Sequence, residues 1–400
     1  MMAAITAARE GAAVTIIEHN DRVGKKILST GNGRCNYTNL KQDKTCYRCT
    51  EQSFPMKVIE KFDVIKTVKF FEDLGIVPKD RNGYLYPFSE QATAVLDVLR
   101  MEAERLGVGI VTGVHVQTVR VRNKGFHING QDKDRKKYEA DADCVIIAAG
   151  SKAASKLGSD GSGYEIVKKL GHRIIPVVPA LVQLKCAEKI YHSMSGVRLY
   201  GKVSIEDENG DMISDTGEIQ LTAYGISGIP VFQISRYAAV QLYRKNKVTV
   251  TLDFMPDLNY DQLRRMIKQR ISLHPERKME MFFTGLFNRK VSNELVKLSK
   301  ISLSSKCGEL TKEDIIHLCN NIKMFKTRIV ETNPFEQAQI CAGGVDTSEI
   351  DSSTMESKLV KGIYFAGEIV DVDGICGGYN LQWAWSSGYL AGKEAAHAQN

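Results

Sequence analysis

Residues 362–384 constrain the fold of this chain more than any other stretch. Ile363-Tyr364-Phe365 reads as a short buried strand, Ala366-Gly367-Glu368 as a tight exit from it, and Gly377-Gly378 as the opening of a helix through Leu381, Ala384 and Leu390. Strand, glycine-rich turn and helix in this order belong to α/β folds, where ligands gather at the strand ends. The first N–H groups of such a helix have no carbonyl partner within it, and its dipole is positive at that end. An electron-rich ligand suits that position.

The opposite end agrees. Residues 2–10 are small and helix-forming with Gly11 as a stop, Ala13–Ile17 reads as a buried strand, and Glu18 stands at its end. Helix, strand and carboxylate make the second half of a dinucleotide-binding βαβ unit, in which the acid accepts from a ribose hydroxyl. The unit's G-x-G-x-x-G loop precedes the acid by about 20 residues, and counting back from Glu18 places it before Met1. The spacing therefore predicts that this sequence begins inside the first helix, N-terminally incomplete, without the first strand and its phosphate cradle. The strand at 13–17 is then expected either one strand width away from the rest of the sheet or collapsed onto 143–149.

Between these ends, Gly24-Lys25-Lys26-Ile27-Leu28-Ser29-Thr30-Gly31-Asn32-Gly33-Arg34-Cys35-Asn36-Tyr37-Thr38-Asn39 offers cations, glycines and short polar side chains suited to wrapping a nucleotide. With Gly225-Ile226-Ser227-Gly228, Ala342-Gly343-Gly344-Val345 and the stretch from Gly367-Glu368 to Gln382, it resembles the BaiN/RdsA-type NAD(P)/FAD-dependent oxidoreductases, the aminoacetone-oxidase-like flavoproteins, over nearly the whole chain. The resemblance implies a Rossmann-like FAD-binding domain of the two-dinucleotide-fold type with an inserted β-rich plus helical domain. It implies FAD as cofactor and NAD(P)H as electron donor, with reduction of an enone- or ketone-like small molecule. Two other outcomes stay open: an oxidase or hydroxylase that uses O2, and a flavin- or RNA-binding protein without turnover.

On this reading Glu18 binds ribose, Val116 lies where backbone contacts hold the adenine, and Lys26, Gly33, Arg34, Cys35, Asn36, Thr38 and Asn39 surround the diphosphate or ring. Gly367, Glu368, Asp373 and Gly374 line the ribityl path. Gly377, Gly378, Tyr379, Asn380 and Leu381 meet the pyrimidine edge, and Ala149-Gly150 permits close approach of the cofactor. No residue stands out as a general acid or base, although a phenol such as Tyr379 or Tyr224 can donate a proton.

Four hundred residues with 43% hydrophobic and 25% charged side chains describe a globular chain of two or three domains. No apolar run approaches the length of a membrane span and no signal peptide is readable, so a cytoplasmic enzyme acting on a small molecule is expected, without membrane contact. The net charge of +7 is spread along the chain rather than gathered in one arm, which argues against nucleic acid. Nine cysteines do not make a disulfide framework here, and Cys46-Tyr-Arg-Cys49 has no second pair to complete a zinc site. The eight histidines are scattered, so no metal is expected.

The middle reads as one helix over 56–74, an extended piece at 83–89, a helix over 93–106, two strands within 108–121, and a strand at 126–128 followed by a polar hairpin at 129–137. A fully buried parallel strand follows at 143–150. Gly158-Ser-Asp-Gly161-Ser-Gly163 reads as a helix-capping loop, with a separate NAD site as the alternative. Residues 183–255 are strand-rich, with turns expected at 208–210 and 215–217. Residues 257–329 are helical and lysine-rich. The expected domains are 1–182 with 330–400 for the cofactor, 183–255 as a β-rich substrate-side insertion, and 256–329 as a helical subdomain.

Overall fold

A computed structural model describes residues 1–398. The chain forms two units, Met1–Val177 with Ile340–Asn400, and Val178–Gln339. No helix among the described residues is long and apolar enough to cross a membrane.

The first unit is α/β. Helix Met2–Arg9 leads to strand Thr15–Glu18, which pairs in parallel with Gly109–Thr112. Val145–Ile147 pairs in parallel with Ile363–Phe365, from Val145↔Ile363 to Ile147↔Phe365. The two ladders are separate, so the first strand does not collapse onto the second. The stretch 143–150 is less covered than expected. Val145 and Ile146 are half-buried, and Ala148 and Ala149 are exposed, because among the described residues this strand has a partner on one edge only.

Small residues bring the two terminal segments together. The C-terminal helix, Tyr379–His397, lies against Met2–Arg9 so closely that a Cβ at Gly392 would stand 2.2 Å from the Ala3 carbonyl oxygen. Glycine is required there by space alone. Helix Ala92–Arg105 contributes Glu102, whose carboxylate is 6% exposed and takes Arg9 at 2.6 Å and Arg105 at 2.7 Å. The Arg105 hydrogen bond outweighs burial, Arg9 adds to it, and the carboxyl is held down at about 2. A carboxyl depressed from about 4.5 contributes its full stability above that pH and loses it as pH falls toward 2. We expect Glu102→Gln to lower stability by about 3 kcal/mol at pH 7 and to flatten the acid limb of the unfolding profile between about pH 5 and 2. A parallel acid limb in mutant and parent would rule this out.

The region read as one helix over 56–74 is two. Phe54–Ile59 ends, and Val64–Asp73 restarts with the Asp63 carboxylate accepting from Lys66 N–H. The Asp63 cap competes with helix continuation, so the apolar periodicity runs across a break. Residues 78–87 form a hairpin, Pro78–Arg81 with Tyr84–Pro87, and Thr38–Asn39 adds a third strand. The strand starting at Phe126 extends to Asp132 between Val114–Val121 and Lys137–Ala142.

The second unit is a closed six-stranded barrel in the order Leu184–Cys186, Gly225–Ser227, Met212–Thr222, Arg198–Glu206, Val248–Asp253 and Phe325–Thr332. Leu184↔Thr332 closes it. Alternate residues Val203, Ile205, Ile219, Leu221, Val250 and Leu252 fill one core with Leu263, Ile267, Val291, Leu295 and Leu318 of the helices. The boundary expected at 255/256 therefore does not separate two bodies. The boundary at 329/330 falls inside a barrel strand. No turn forms at 215–217, since Thr216 and Gly217 pair with Lys202 and Gly201 in the middle of a long hairpin. Gly225 serves the barrel, because a Cβ there would meet the Leu184 carbonyl oxygen at 2.2 Å. Tyr224 is exposed beside it, its phenol oxygen accepting from Asn333 Nδ2 at 3.1 Å.

Candidate active site

The glycine-rich segment after strand Thr15–Glu18 is wound tightly. Gly31, Asn32, Gly33 and Cys35 all have positive φ, Cys35 N–H donates to Thr30 O at 3.0 Å, and Arg34 N–H donates to Gly31 O at 3.2 Å. This winding turns one side of the loop inward. Cys35, Asn36, Thr38 and Asn39 are buried, whereas Gly33 and Arg34 face solvent. A Cβ on Gly33 would meet nothing within 4 Å, so its backbone is open to an approaching group. Arg34 lies 3.8 Å from Glu90, which also pairs with Lys79 and Arg81.

The inward side docks on the start of the C-terminal helix. Thr38 Oγ1 donates to Gln382 Oε1 at 2.5 Å, and Gln382 Nε2 lies within 3.1 Å of Thr67 Oγ1, Ser386 Oγ and the Phe62 carbonyl. Asn39 Nδ2 donates to Gly377 O at 3.1 Å. A Cβ on Gly378 would stand 2.8 Å from the Thr38 carbonyl and 3.0 Å from Asn36 Oδ1. That oxygen is buried without a hydrogen-bond partner among the described residues. Burial raises the Cys35 thiol to about 11, which removes it as a redox nucleophile at neutral pH.

Gly367 sits between strand and helix with φ +75, its N–H accepted by Ser387 Oγ at 2.9 Å and its carbonyl accepting from Trp383 Nε1 at 3.0 Å. The nearest atom to a Cβ on Gly367 would be 4.0 Å away, so this backbone too is open. Glu368 Oε2 is ion-paired with Lys26, and its Oε1 accepts from Cys341 N–H at 2.9 Å. Lys26 also donates to Ala153 O at 3.3 Å. One carboxylate thus joins the basic loop, the turn after residue 150 and strand Ile340–Val345.

Asp373-Gly374 pairs with Tyr47-Arg48, an edge the sequence did not reveal, and the Asn380 amide brackets Gly374 by taking its N–H at 2.8 Å and donating to its carbonyl at 3.0 Å. Asp373 is buried. Tyr379 is buried against Tyr47, and burial, with Cys46 adding, holds its phenol far above the ordinary range, so it is not a ready proton donor. Leu381 packs on the core cluster that holds Cys35 and Tyr37.

Glu18, Val116, Ala149 and Gly150 lie outside this set of contacts. Glu18 Oε1 accepts from Asn20 N–H at 2.8 Å and Asn20 Nδ2 at 3.1 Å. Val116 is half-buried beside a register irregularity in its strand. Ala149 packs near Gly163, and a Cβ on Gly150 would strike Ser159 Oγ at 2.6 Å.

The family model described as HI0933-like protein Rossmann domain matches residues 1–394. A 3-dehydro-bile acid delta(4,6)-reductase from Clostridium scindens is 45% identical over 99% of this chain and 96% of its own length. Proteins named ribosomal RNA dihydrouridine synthase match at lower identity: 27% for that of Escherichia coli, over 100% of this chain and 96% of its own length, and 29% for that of Haemophilus influenzae, over 96% and 92%. With its Rossmann-type flavoprotein fold, the chain belongs to the HI0933-like family and is an oxidoreductase of that family.

Proposed function

We propose that this protein is an FAD-dependent reductase that passes hydride from NAD(P)H to an enone- or ketone-like small molecule. The observation that carries the reading is end-to-end similarity, 45% identical over 99% of the chain, to the 3-dehydro-bile acid delta(4,6)-reductase. The residues present fit a flavin: open backbone at Gly33 and Gly367, and an orphaned buried amide oxygen on Asn36 beside Gly378 at a helix N-terminus.

Bound flavin supplies the two-electron redox chemistry. Gly33 and Gly367 let backbone approach the cofactor without side-chain obstruction. The first-turn N–H groups of helix Tyr379–His397 favour negative charge beside them. Lys26, held by Glu368, keeps a cation in the glycine-rich loop. Glu18 retains a second carboxylate oxygen for a ribose hydroxyl, and Asn20 fixes the first.

Glu18→Ala is expected to weaken FAD retention by about 1–3 kcal/mol, as for a charge-assisted bond left unmade. Flavin occupancy unchanged after gel filtration would remove Glu18 from the site. The function itself is tested by anaerobic titration of the purified chain with NADH and NADPH, followed by a panel of enones including 3-oxo-Δ4 and Δ4,6 steroids. Bleaching by a nicotinamide and reoxidation by an enone supports the reading. Reoxidation by air alone points to an oxidase, and absence of flavin overturns it.

The relatives named for ribosomal RNA favour a second reading, reduction of an RNA base. Against it, cations in 257–329 are tied into separate local contacts: Arg289 with Glu280, Lys297 with Glu294, Lys306 with Glu276 and Lys323 with Asp253. Dihydrouridine formation in a ribosomal RNA transcript would decide for it.

A further inference from the structure

Three segments of the first unit meet beyond the end of strand Thr15–Glu18, and each brings one metal-ligating side chain. His19 follows the strand, His115 lies on Val114–Val121, and Asp160 lies in the loop before helix Ser162–Lys169. One ligand atom from each lies within 4.8 Å of the other two. His19 Nδ1 is 3.8 Å from Asp160 Oδ2, and the imidazoles meet edge to face with centroids 5.0 Å apart. We propose that His19, His115 and Asp160 form a binding site for a divalent first-row cation of the Zn2+ type, contrary to the expectation of no metal drawn from the scattered histidines.

The donor set selects the cation. Two imidazoles and one carboxylate suit Zn2+ and its neighbours, whereas Mg2+ and Ca2+ take oxygen ligands. Bonds near 2.1 Å place tetrahedral ligands about 3.4 Å apart, so the cluster must contract by about 1 Å. His19 and Asp160 are exposed and can make that rotation. His115 is half-buried on a paired strand and serves as the fixed point.

The backbone beneath the cluster is already tied. Asn20 accepts Gly113 N–H at 2.8 Å through its carbonyl and donates from Nδ2 to Leu157 O at 3.2 Å, linking all three segments through one residue. A Cβ at Gly158, φ +110, would stand 2.1 Å from Asn20 Nδ2, so glycine allows the loop to seat this close. Ser162 N–H donates to Asp160 Oδ1 at 2.9 Å and orients the carboxylate, as outer-shell partners of metal ligands do. Three protein ligands leave the remaining positions to water.

The test uses the untagged full-length chain as purified after chelation, and its readouts do not involve turnover or flavin. Zn2+ followed by calorimetry should bind one per chain. Co2+ should give the visible difference bands of a four- or five-coordinate centre, removable by Zn2+. His19→Gln, His115→Ala and Asp160→Asn should each weaken Zn2+ by at least about tenfold. His19→Gln alters an exposed side chain and keeps the test valid should His115→Ala unfold. Saturating Zn2+ should raise the melting temperature of the parent and not of the variants. Absence of saturable binding, or Zn2+ affinity unchanged in His19→Gln and Asp160→Asn, overturns the site. Because a failed flavin titration would leave these results untouched, the two proposals fail separately.

Discussion

Gln382→Leu is expected to cost about 3–5 kcal/mol, since buried polar groups left unmatched cost about 1–3 kcal/mol each. Gln382 is fully buried and is the only side chain bonded to Thr38, Thr67 and the Phe62 carbonyl together among the described residues. Leucine matches it roughly in volume, so the loss is one of hydrogen bonding rather than of packing. Chemical denaturation followed by far-ultraviolet circular dichroism measures it. A loss below about 1 kcal/mol would mean that the two orphaned hydroxyls, of Thr38 and Thr67, find new partners or water, since the Phe62 carbonyl keeps its hydrogen bond from Ser386 Oγ at 2.6 Å. Gln382→Glu separates the two, because it keeps the acceptor for Thr38 and forfeits the donors to Thr67 and Phe62.

Gly378→Val should be equally damaging, and for a different reason. The sequence alone suggests that a branched side chain here would reach into a cofactor and leave the fold intact. The structure places the Thr38 carbonyl and Asn36 Oδ1 in that space, and φ at Gly378 is +91. Left-handed strain of about 1–2 kcal/mol adds to about 1–3 kcal/mol of overpacking, so thermal stability should fall together with flavin content. Retained stability with lost colour would restore the cofactor-facing role. Gly367→Ala is the informative contrast. A Cβ there meets no atom nearer than 4.0 Å, so its effect should fall on cofactor binding after the backbone strain of φ +75 is allowed for.

These residues mark how far the sequence could be read. The strand at 363–365, the glycine-opened helix after it and the helix–strand–Glu18 order were legible because strands and helix N-termini have local signatures, although Thr15–Glu18 is exposed to half-buried rather than buried as expected of 13–17. The motif Gly33–Asn39 was legible as a motif and not as a surface. Spacing does not tell which face of a loop turns inward, and five of its side chains, Cys35 to Asn39, serve the interior. Pairing of Tyr47-Arg48 with Asp373-Gly374, the closure of the barrel by Phe325–Thr332, and the meeting of His19 with His115 and Asp160 depend on residues far apart in the chain. Local pattern carries no record of such partners. The break at Glu60–Asp63 was hidden by apolar spacing that continues through it.

The lie of the two units along the polypeptide also orders their synthesis. Every barrel strand and its covering helices fall between Val178 and Gln339, so this unit is complete once that stretch has left the ribosome. The first unit is not. Its opening helix, Met2–Arg9, needs Gly388 and Gly392 of the final helix, and Val145–Ile147 needs Ile363–Phe365. Residues 2–9 therefore wait for 388–392, holding their apolar faces unpaired while everything between is made, when nascent chains depend on chaperones. Chains truncated near residue 345 and released from the ribosome should yield a protease-resistant core from the middle of the sequence and none from the segment before it.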